Sequence, residues 1–193
     1  GSLLAGDNAA VPSPYDFALG GKGLDPSLPG GVSGTLLQAG QCFMVDMGGN
    51  FYGYMGDMSR VFSIGRLPEQ AYTAHQTCIE IQEEIAAMAK PGTVCEDMYN
   101  KAIEIVTKAG FADYFMGVDQ KAKFIGHGIG LEINEMPVLA PRMKQELEPG
   151  MVFALEPKIV LPGIGPVGIE NSWAVTTDSL EKLTLCKEEI IEL

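Results

Sequence analysis

From residue 41 onward the hydrophobic positions fall into runs whose period changes twice. Cys42-Phe43-Met44-Val45 is an apolar run closed by Asp46, and Gly48-Gly49-Asn50 carries turn chemistry. Residues 51–54 and 59–64 read as a returning strand interrupted near Gly56-Asp57, so 41–64 is predicted as a β-hairpin. Over residues 68–90 the apolar positions Ala71, Ala74, Cys78, Ile81, Ile85 and Met88 recur at helical spacing, and Pro91-Gly92 ends that helix. Thr93-Val94-Cys95-Glu96 fits a capping box, in which the Thr93 hydroxyl accepts from the Glu96 N–H; the helix it opens runs to about Ala109 and stops at Gly110. Strand-like runs return at 151–154, 158–161, 168–175 and 183–186.

Strands, then two helices, then strands predict an α+β fold with an antiparallel sheet, not an alternating parallel one. No short-period repeat interrupts it, and 1–193 reads as a single domain. Residues 5–40 stand apart. They are rich in Gly, Pro, Ser and Asp, and Gly20-Gly21-Lys22-Gly23, Asp25-Pro26 and Pro29-Gly30-Gly31 are breakers. That stretch is expected to be a long loop or a frayed end.

Composition narrows the function classes. Across 193 residues, 46% are hydrophobic and 20% charged, which is globular composition. The net charge of −12 with no basic cluster argues against nucleic acid. No 20-residue apolar span or secretory pattern is present, so no membrane partner is expected. Cys42, Cys78, Cys95 and Cys186 form no CxxC pair; they read as buried, reduced thiols, which points away from a zinc–thiolate site and toward the cytoplasm.

Five side chains carry candidate chemistry. Asp46 closes an apolar run, and Asp57 lies across the predicted hairpin. His127 sits in Gly126-His127-Gly128-Ile129-Gly130, where glycine permits close backbone approach; Glu156 follows Val152-Phe153-Ala154-Leu155, and Glu170 follows Val167-Gly168-Ile169. Taken singly, each also fits a turn or strand-end residue. Taken together, four carboxylates in apolar surroundings would be prohibitively expensive to bury without cations. Four carboxylates and an imidazole suit two divalent cations sharing bridging oxygens, which would turn a bound water into a nucleophile near neutral pH.

The motifs around these residues resemble the pita-bread metallopeptidases: Xaa-Pro aminopeptidases, Xaa-Pro dipeptidases (prolidases), methionine aminopeptidases and creatinase-like enzymes. Val45-Asp46-Met47-Gly48 with Tyr54-Met55-Gly56-Asp57-Met58-Ser59-Arg60 is similar to the family's paired-aspartate hairpin. Gly126-His127-Gly128-Ile129-Gly130-Leu131-Glu132 is similar to its histidine strand, Leu147-Glu148-Pro149-Gly150 leading to Glu156-Pro157 to its first glutamate motif, and Gly168-Ile169-Glu170-Asn171 to its last. Order and spacing agree over 40–193, and Leu131-Glu132 leans toward the Xaa-Pro and creatinase branch. The resemblance implies a curved antiparallel sheet backed by helices, truncated at its N-terminus, as one part of a longer and commonly dimeric protein. It implies two metal ions, Mn²⁺ or Co²⁺ first and Zn²⁺ or Fe²⁺ as alternatives. Asp46 and Asp57 would chelate one ion; Asp57, His127, Glu156 and Glu170 would hold the other, with Asp57 and Glu170 bridging and Glu156 carrying the proton.

The sequence also departs from that pattern. Asn134 stands in Asn134-Glu135-Met136-Pro137 where the metallopeptidases carry a substrate-side histidine, and Asn134 is the candidate substrate contact in its place. The only other histidine, His75, falls on the first helix, where a surface or packing role is expected. Residues 5–40 hold no histidine, and Gly168 occupies the place of an arginine typical of the Xaa-Pro branch. Losing one donor to a developing oxyanion typically costs about 10²–10³ in rate. Metal binding is therefore better supported than prolyl peptide cleavage, and removal of the residue N-terminal to proline stays the leading expectation on the strength of the motifs. Amide hydrolysis or lyase chemistry on a small molecule at the same site, or a non-catalytic binding module, are the alternatives.

Overall fold

The computed structural model describes residues 2–11, 19–25, 27 and 30–193; the predicted breakers Pro26 and Pro29 lie outside the described residues. In chain order the strands are β1 (Ser2–Ala5), β2 (Cys42–Phe51) and β3 (Tyr54–Ser63), followed by helices α1 (Glu69–Met88) and α2 (Cys95–Lys108). Then come β4 (Gly126–Gly128), β5 (Glu135–Val138), β6 (Val152–Leu155), β7 (Lys158–Leu161), β8 (Gly165–Gly168), β9 (Asn171–Val175), β10 (Leu180–Lys182) and β11 (Ile191–Glu192). They form sheets of order β1-β2-β3-β11, β10-β9-β6-β4-β5 and the hairpin β7-β8. The α+β expectation holds. The pairs are antiparallel except β11 with β3, which is parallel, because the C-terminal segment returns along an edge strand.

The β2–β3 hairpin is longer than its sequence pattern suggests. Gly48-Gly49-Asn50 lies within β2, and the turn is at Tyr52 and Gly53, whose φ values of 51° and 90° fit a turn with two left-handed residues. Asn50 Oδ1 accepts the Gly53 N–H at 3.2 Å, giving that turn its side-chain support. The register opposes Asp46 to Ser59 and Gly48 to Asp57. Strand alternation therefore puts Asp46, Asp57 and Ser59 on one face, in line with the buried Met44 and Val61.

Helix α1 buries Ala71, Ala74, Cys78, Ile81 and Ile85 as its spacing predicts, while Met88 is exposed at its end. Two polar residues on this buried face link α1 to the strands. Gln82 Nε2 donates to Leu155 O at 2.6 Å and its Oε1 accepts from Asn171 Nδ2 at 2.7 Å. His75 takes the packing role of the two expected: it is buried, its Nδ1 accepts the Gly168 N–H at 3.2 Å and its Nε2 lies 2.6 Å from Glu188 O.

The capping box expected at α2 does not form. Thr93 Oγ1 accepts the Lys90 N–H instead, and Glu96 accepts from Arg142 N and Lys144 Nζ. The first N–H groups of α2 are satisfied by backbone: Cys95 N donates to Gln145 O and Glu96 N to Met143 O, so an adjacent strand-like segment serves as the cap. Near the N-terminus, the 3-10 helix Gly6–Ala10 interrupts the expected loop; Asn8 holds its neighbourhood by donating to Gly31 O and accepting from Lys22 N. Cys42, Cys78 and Cys95 are buried free thiols as expected, but Cys186 is exposed.

Candidate metal centre

Each of the five predicted residues is delivered by a strand or a strand end. Asp46 and Asp57 come from β2 and β3. His127 is the middle residue of β4, flanked by two glycines that have no alternative: a Cβ on Gly126 would collide with Ala154 O and one on Gly128 with Met136 O. The neighbouring backbones thus pass close on both sides and press the imidazole into the site. Glu156 links β6 to β7, with its N–H donated to Ile125 O at 2.8 Å. Glu170 joins β8 to β9 and bridges across to Ser59.

The structure brings all five together. His127 Nε2 lies 3.3 Å from Glu156 Oε1 and 3.9 Å from Asp57 Oδ2. His127 Nδ1 is 3.1 Å from Gly128 O; donation there turns Nε2 toward the carboxylates. Ser59 Oγ donates to Glu170 Oε2 at 2.5 Å. Arg60, on the other face of β3, anchors the same region from behind: Nη1 donates to Glu170 O at 2.9 Å and Nη2 to Asn171 Oδ1 at 2.8 Å. Among the described residues no hydrogen bond links Asn134 to this cluster; it sits exposed in the turn before β5.

One residue at the centre escaped the sequence reading. Lys158 is fully buried, and its Nζ lies 2.6 Å from Glu156 Oε2, 3.2 Å from Asp46 Oδ2 and 3.3 Å from Glu170 Oε2. The available signal was its position two residues after Glu156 in an extended segment, which puts both side chains on one face.

The protonation preferences follow from this packing. Burial raises the Asp57 carboxyl to about 6, reinforced by the charge of Asp46 and opposed by Lys158. Burial likewise raises Glu170 to about 8; Lys158 opposes the rise, while Glu156, Asp46 and Asp57 add to it. Burial also works against ionised Glu156, but Lys158 and His127 outweigh it and hold that carboxyl below its ordinary value. Burial works to lower His127, but Glu156, the Gly128 carbonyl and Glu170 together raise it to about 9. This is a cluster with more negative charge than its one lysine and one histidine can balance.

Donors suited to a cation are therefore in place. Asp57, His127 and Glu170 each offer one ligand atom, and these atoms lie within 4.8 Å of one another. An imidazole nitrogen with two carboxylates is a good donor set for a divalent transition metal. A cavity of about 420 Å³ reaches Asp57 and is walled largely by Met47, Met55, Met58, Val152 and Leu183.

The profile of metallopeptidase family M24 matches residues 3–177. The chain belongs to metallopeptidase family M24. It is 30% identical over 185 residues to the Xaa-Pro dipeptidase of Pyrococcus furiosus, covering 95% of this chain and 51% of that protein. To the Xaa-Pro dipeptidase of Lactobacillus helveticus it is 32% identical, covering 94% of this chain and 44% of the relative. The fold superposes on the X-Pro aminopeptidase of Thermotoga maritima with a TM-score of 0.82 at 26% identity, covering all of this chain and 48% of that one. It superposes on the prolidase of P. furiosus with a TM-score of 0.79 at 27% identity, covering 96% and 49%. The M24 chain thus has the pita-bread fold and spans about half the length of the curated relatives it matches. M24 is a metal-dependent family, and the Asp57–His127–Glu170 cluster is where this member's residues fit an ion. No helix of the described residues is long and apolar enough to cross a membrane.

Proposed function

We propose that this chain is the catalytic part of a metal-dependent hydrolase that removes the residue N-terminal to proline, as an Xaa-Pro aminopeptidase or dipeptidase. The observation that carries the reading is the convergence of Asp57, His127 and Glu170 on one point, in a chain similar to named Xaa-Pro dipeptidases. Asp46, Asp57, His127, Glu156 and Glu170 would hold two divalent ions, Mn²⁺ or Co²⁺ first, and Asp57, His127 and Glu170 are the three whose ligand atoms already converge. A bound ion would supply Lewis acidity and lower the pKa of water.

The remaining work falls to the protein. Glu156 is the proton carrier: Oε1 faces His127, and Oε2 is fixed by Lys158 at 2.6 Å. Ser59 and Arg60 orient Glu170 through its carboxylate and its backbone carbonyl respectively. Asn134 is the candidate donor to the substrate carbonyl, using its amide. The cavity beside Asp57 has the apolar walls that would suit a hydrophobic substrate side chain.

The test is release of the N-terminal residue from Xaa-Pro peptides by the full-length protein with Mn²⁺ or Co²⁺. Asp57→Asn is expected to lose more than the roughly 10–100-fold typical of groups one step removed from a metal. Wild-type turnover in that variant would refute the assignment. The departures at Asn134 and Gly168 favour one second reading, the same site acting on a small non-peptide amide. Turnover of such amides without turnover of Xaa-Pro peptides would select it.

A further inference from the structure

The ion expected at Asp46 and Asp57, with Glu170 shared, would draw on the Asp46 and Glu170 carboxylates, two of the three whose oxygens surround Lys158 Nζ. That space is taken. The ammonium stands at hydrogen-bond distance from all three, at 2.6, 3.2 and 3.3 Å. A metal bonded to the same oxygens at about 2.0–2.2 Å would need nearly the same point in space.

Lys158 has no means of withdrawing. All four residues of β7 are buried, and Lys158 itself has no exposed surface. Its backbone is tied on both sides: it pairs with Gly168 across the hairpin, and its carbonyl accepts the Met116 N–H at 2.8 Å. Cys78, Ile159 and Val160 around it are apolar and buried, so a swung-out ammonium would lose all three carboxylates and gain no water.

We propose that Lys158 permanently takes the place of one of the two metal ions, so that this pita-bread centre binds a single divalent cation through Asp57, His127 and Glu170, with Asp46 serving as a lysine partner and not a metal ligand. The proposal rests on the reading that the Asp57–His127–Glu170 cluster binds a metal, and it changes the number of ions that reading expects from two to one. Lys158 is a positioning residue in this scheme. It fixes Glu156 Oε2, and it holds Asp46 and Glu170 together without a bridging ion.

The experiment is metal stoichiometry in the full-length protein, stripped by chelator and titrated with Mn²⁺ alone. Bound ion is counted by elemental analysis and its environment read by electron paramagnetic resonance. The wild type is expected to bind one Mn²⁺ per chain, with the six-line spectrum of an isolated ion. Lys158→Ala, which opens the space between the carboxylates, is expected to bind two, with the spectrum of an exchange-coupled pair. Two ions in the wild type would overturn the proposal while leaving the metal-site reading intact. No ion in either protein would overturn both. One ion in both would show that Lys158 is not what excludes the second, and would likewise overturn it. Should Lys158→Ala fail to fold, Lys158→Met, which removes the ammonium and its charge, supplies the comparison: two ions are expected there, and one ion would overturn the proposal.

Discussion

Gly168 occupies the place of an arginine typical of the Xaa-Pro branch, and restoring a side chain there is expected to damage the protein. Its φ is +135°, a region open to glycine and strained for any other residue. Holding a non-glycine residue in such a conformation costs of order 1–3 kcal/mol. A Cβ at this position would also collide with Pro157 O and approach Lys158 Cα at 2.9 Å, both backbone atoms of the paired strand. Forcing apart a packed pair of this kind adds typically 1–3 kcal/mol. Gly168→Ala should therefore lose about 2–6 kcal/mol, and Gly168→Arg at least as much. The natural control is Gly163→Ala: φ is +77° there, but nothing lies within 4 Å of its Cβ, so only the conformational part of about 1–2 kcal/mol applies. Urea unfolding of the three variants beside the wild type, with m-values compared, measures the differences. The displacement would reach the site as well, since Gly168 N is bonded to His75 and Glu170 lies two residues on. Gly168→Arg is thus expected to lower any peptidase activity. A Gly168→Ala loss equal to that of Gly163→Ala, or below about 1 kcal/mol, would refute the collision argument.

Two further predictions concern the polar groups behind the centre. Burial lowers the pKa of His75, with Arg60 adding to the effect and Glu188 and Glu189 opposing it. The folded protein therefore takes up this proton later than the unfolded chain does, and stability should fall as pH drops through the unfolded value of about 6.5, by at most about 1.4 kcal/mol per unit. Denaturant unfolding between pH 5 and pH 7.5 checks this against His75→Gln, which should show the shallower dependence; parallel curves would sink it. Arg60 also donates to Lys187 O at 2.7 Å and Cys186 O at 3.2 Å, so it ties the C-terminal segment to β3 and β9. Arg60→Met should destabilise by about 3–5 kcal/mol and deprotect amides after Lys182 in hydrogen exchange; unchanged protection there would contradict this role.

The five-residue cluster was legible because each member interrupts an apolar or glycine-rich stretch, where a charged group needs a reason to be buried. The α+β order was legible for the same kind of reason, since the periods of α1 and the strands differ clearly. Register was not. Gly48-Gly49-Asn50 has good turn chemistry, yet it runs through β2 because Tyr52-Gly53 supplies the turn and Gly48 must face Asp57. The capping box at Thr93 lost to a backbone cap from residues 143–147, a tertiary contact that local sequence does not announce. The helix position of His75 left surface and packing roles both open because its partners, Gly168 N and Glu188 O, are remote in sequence. Lys158 was missed because lysine in an apolar run reads as a strand edge; only its alternation with Glu156 points inward.

The bridge between Ser59 and Glu170 spans 111 residues, and it has a kinetic consequence. The β2–β3 hairpin, which carries Asp46 and Asp57, and the β7–β8 hairpin can each form from neighbouring residues, but the two aspartates meet Glu156 and Glu170 only when the two halves dock. Closing so long a loop comes at an entropic disadvantage that local pairing does not share, which favours docking after the hairpins are made. Until then the acidic groups and Lys158 remain hydrated. Changes within the cluster are consequently expected to act mainly on how fast the folded protein comes apart, with little effect on the rate at which it first assembles.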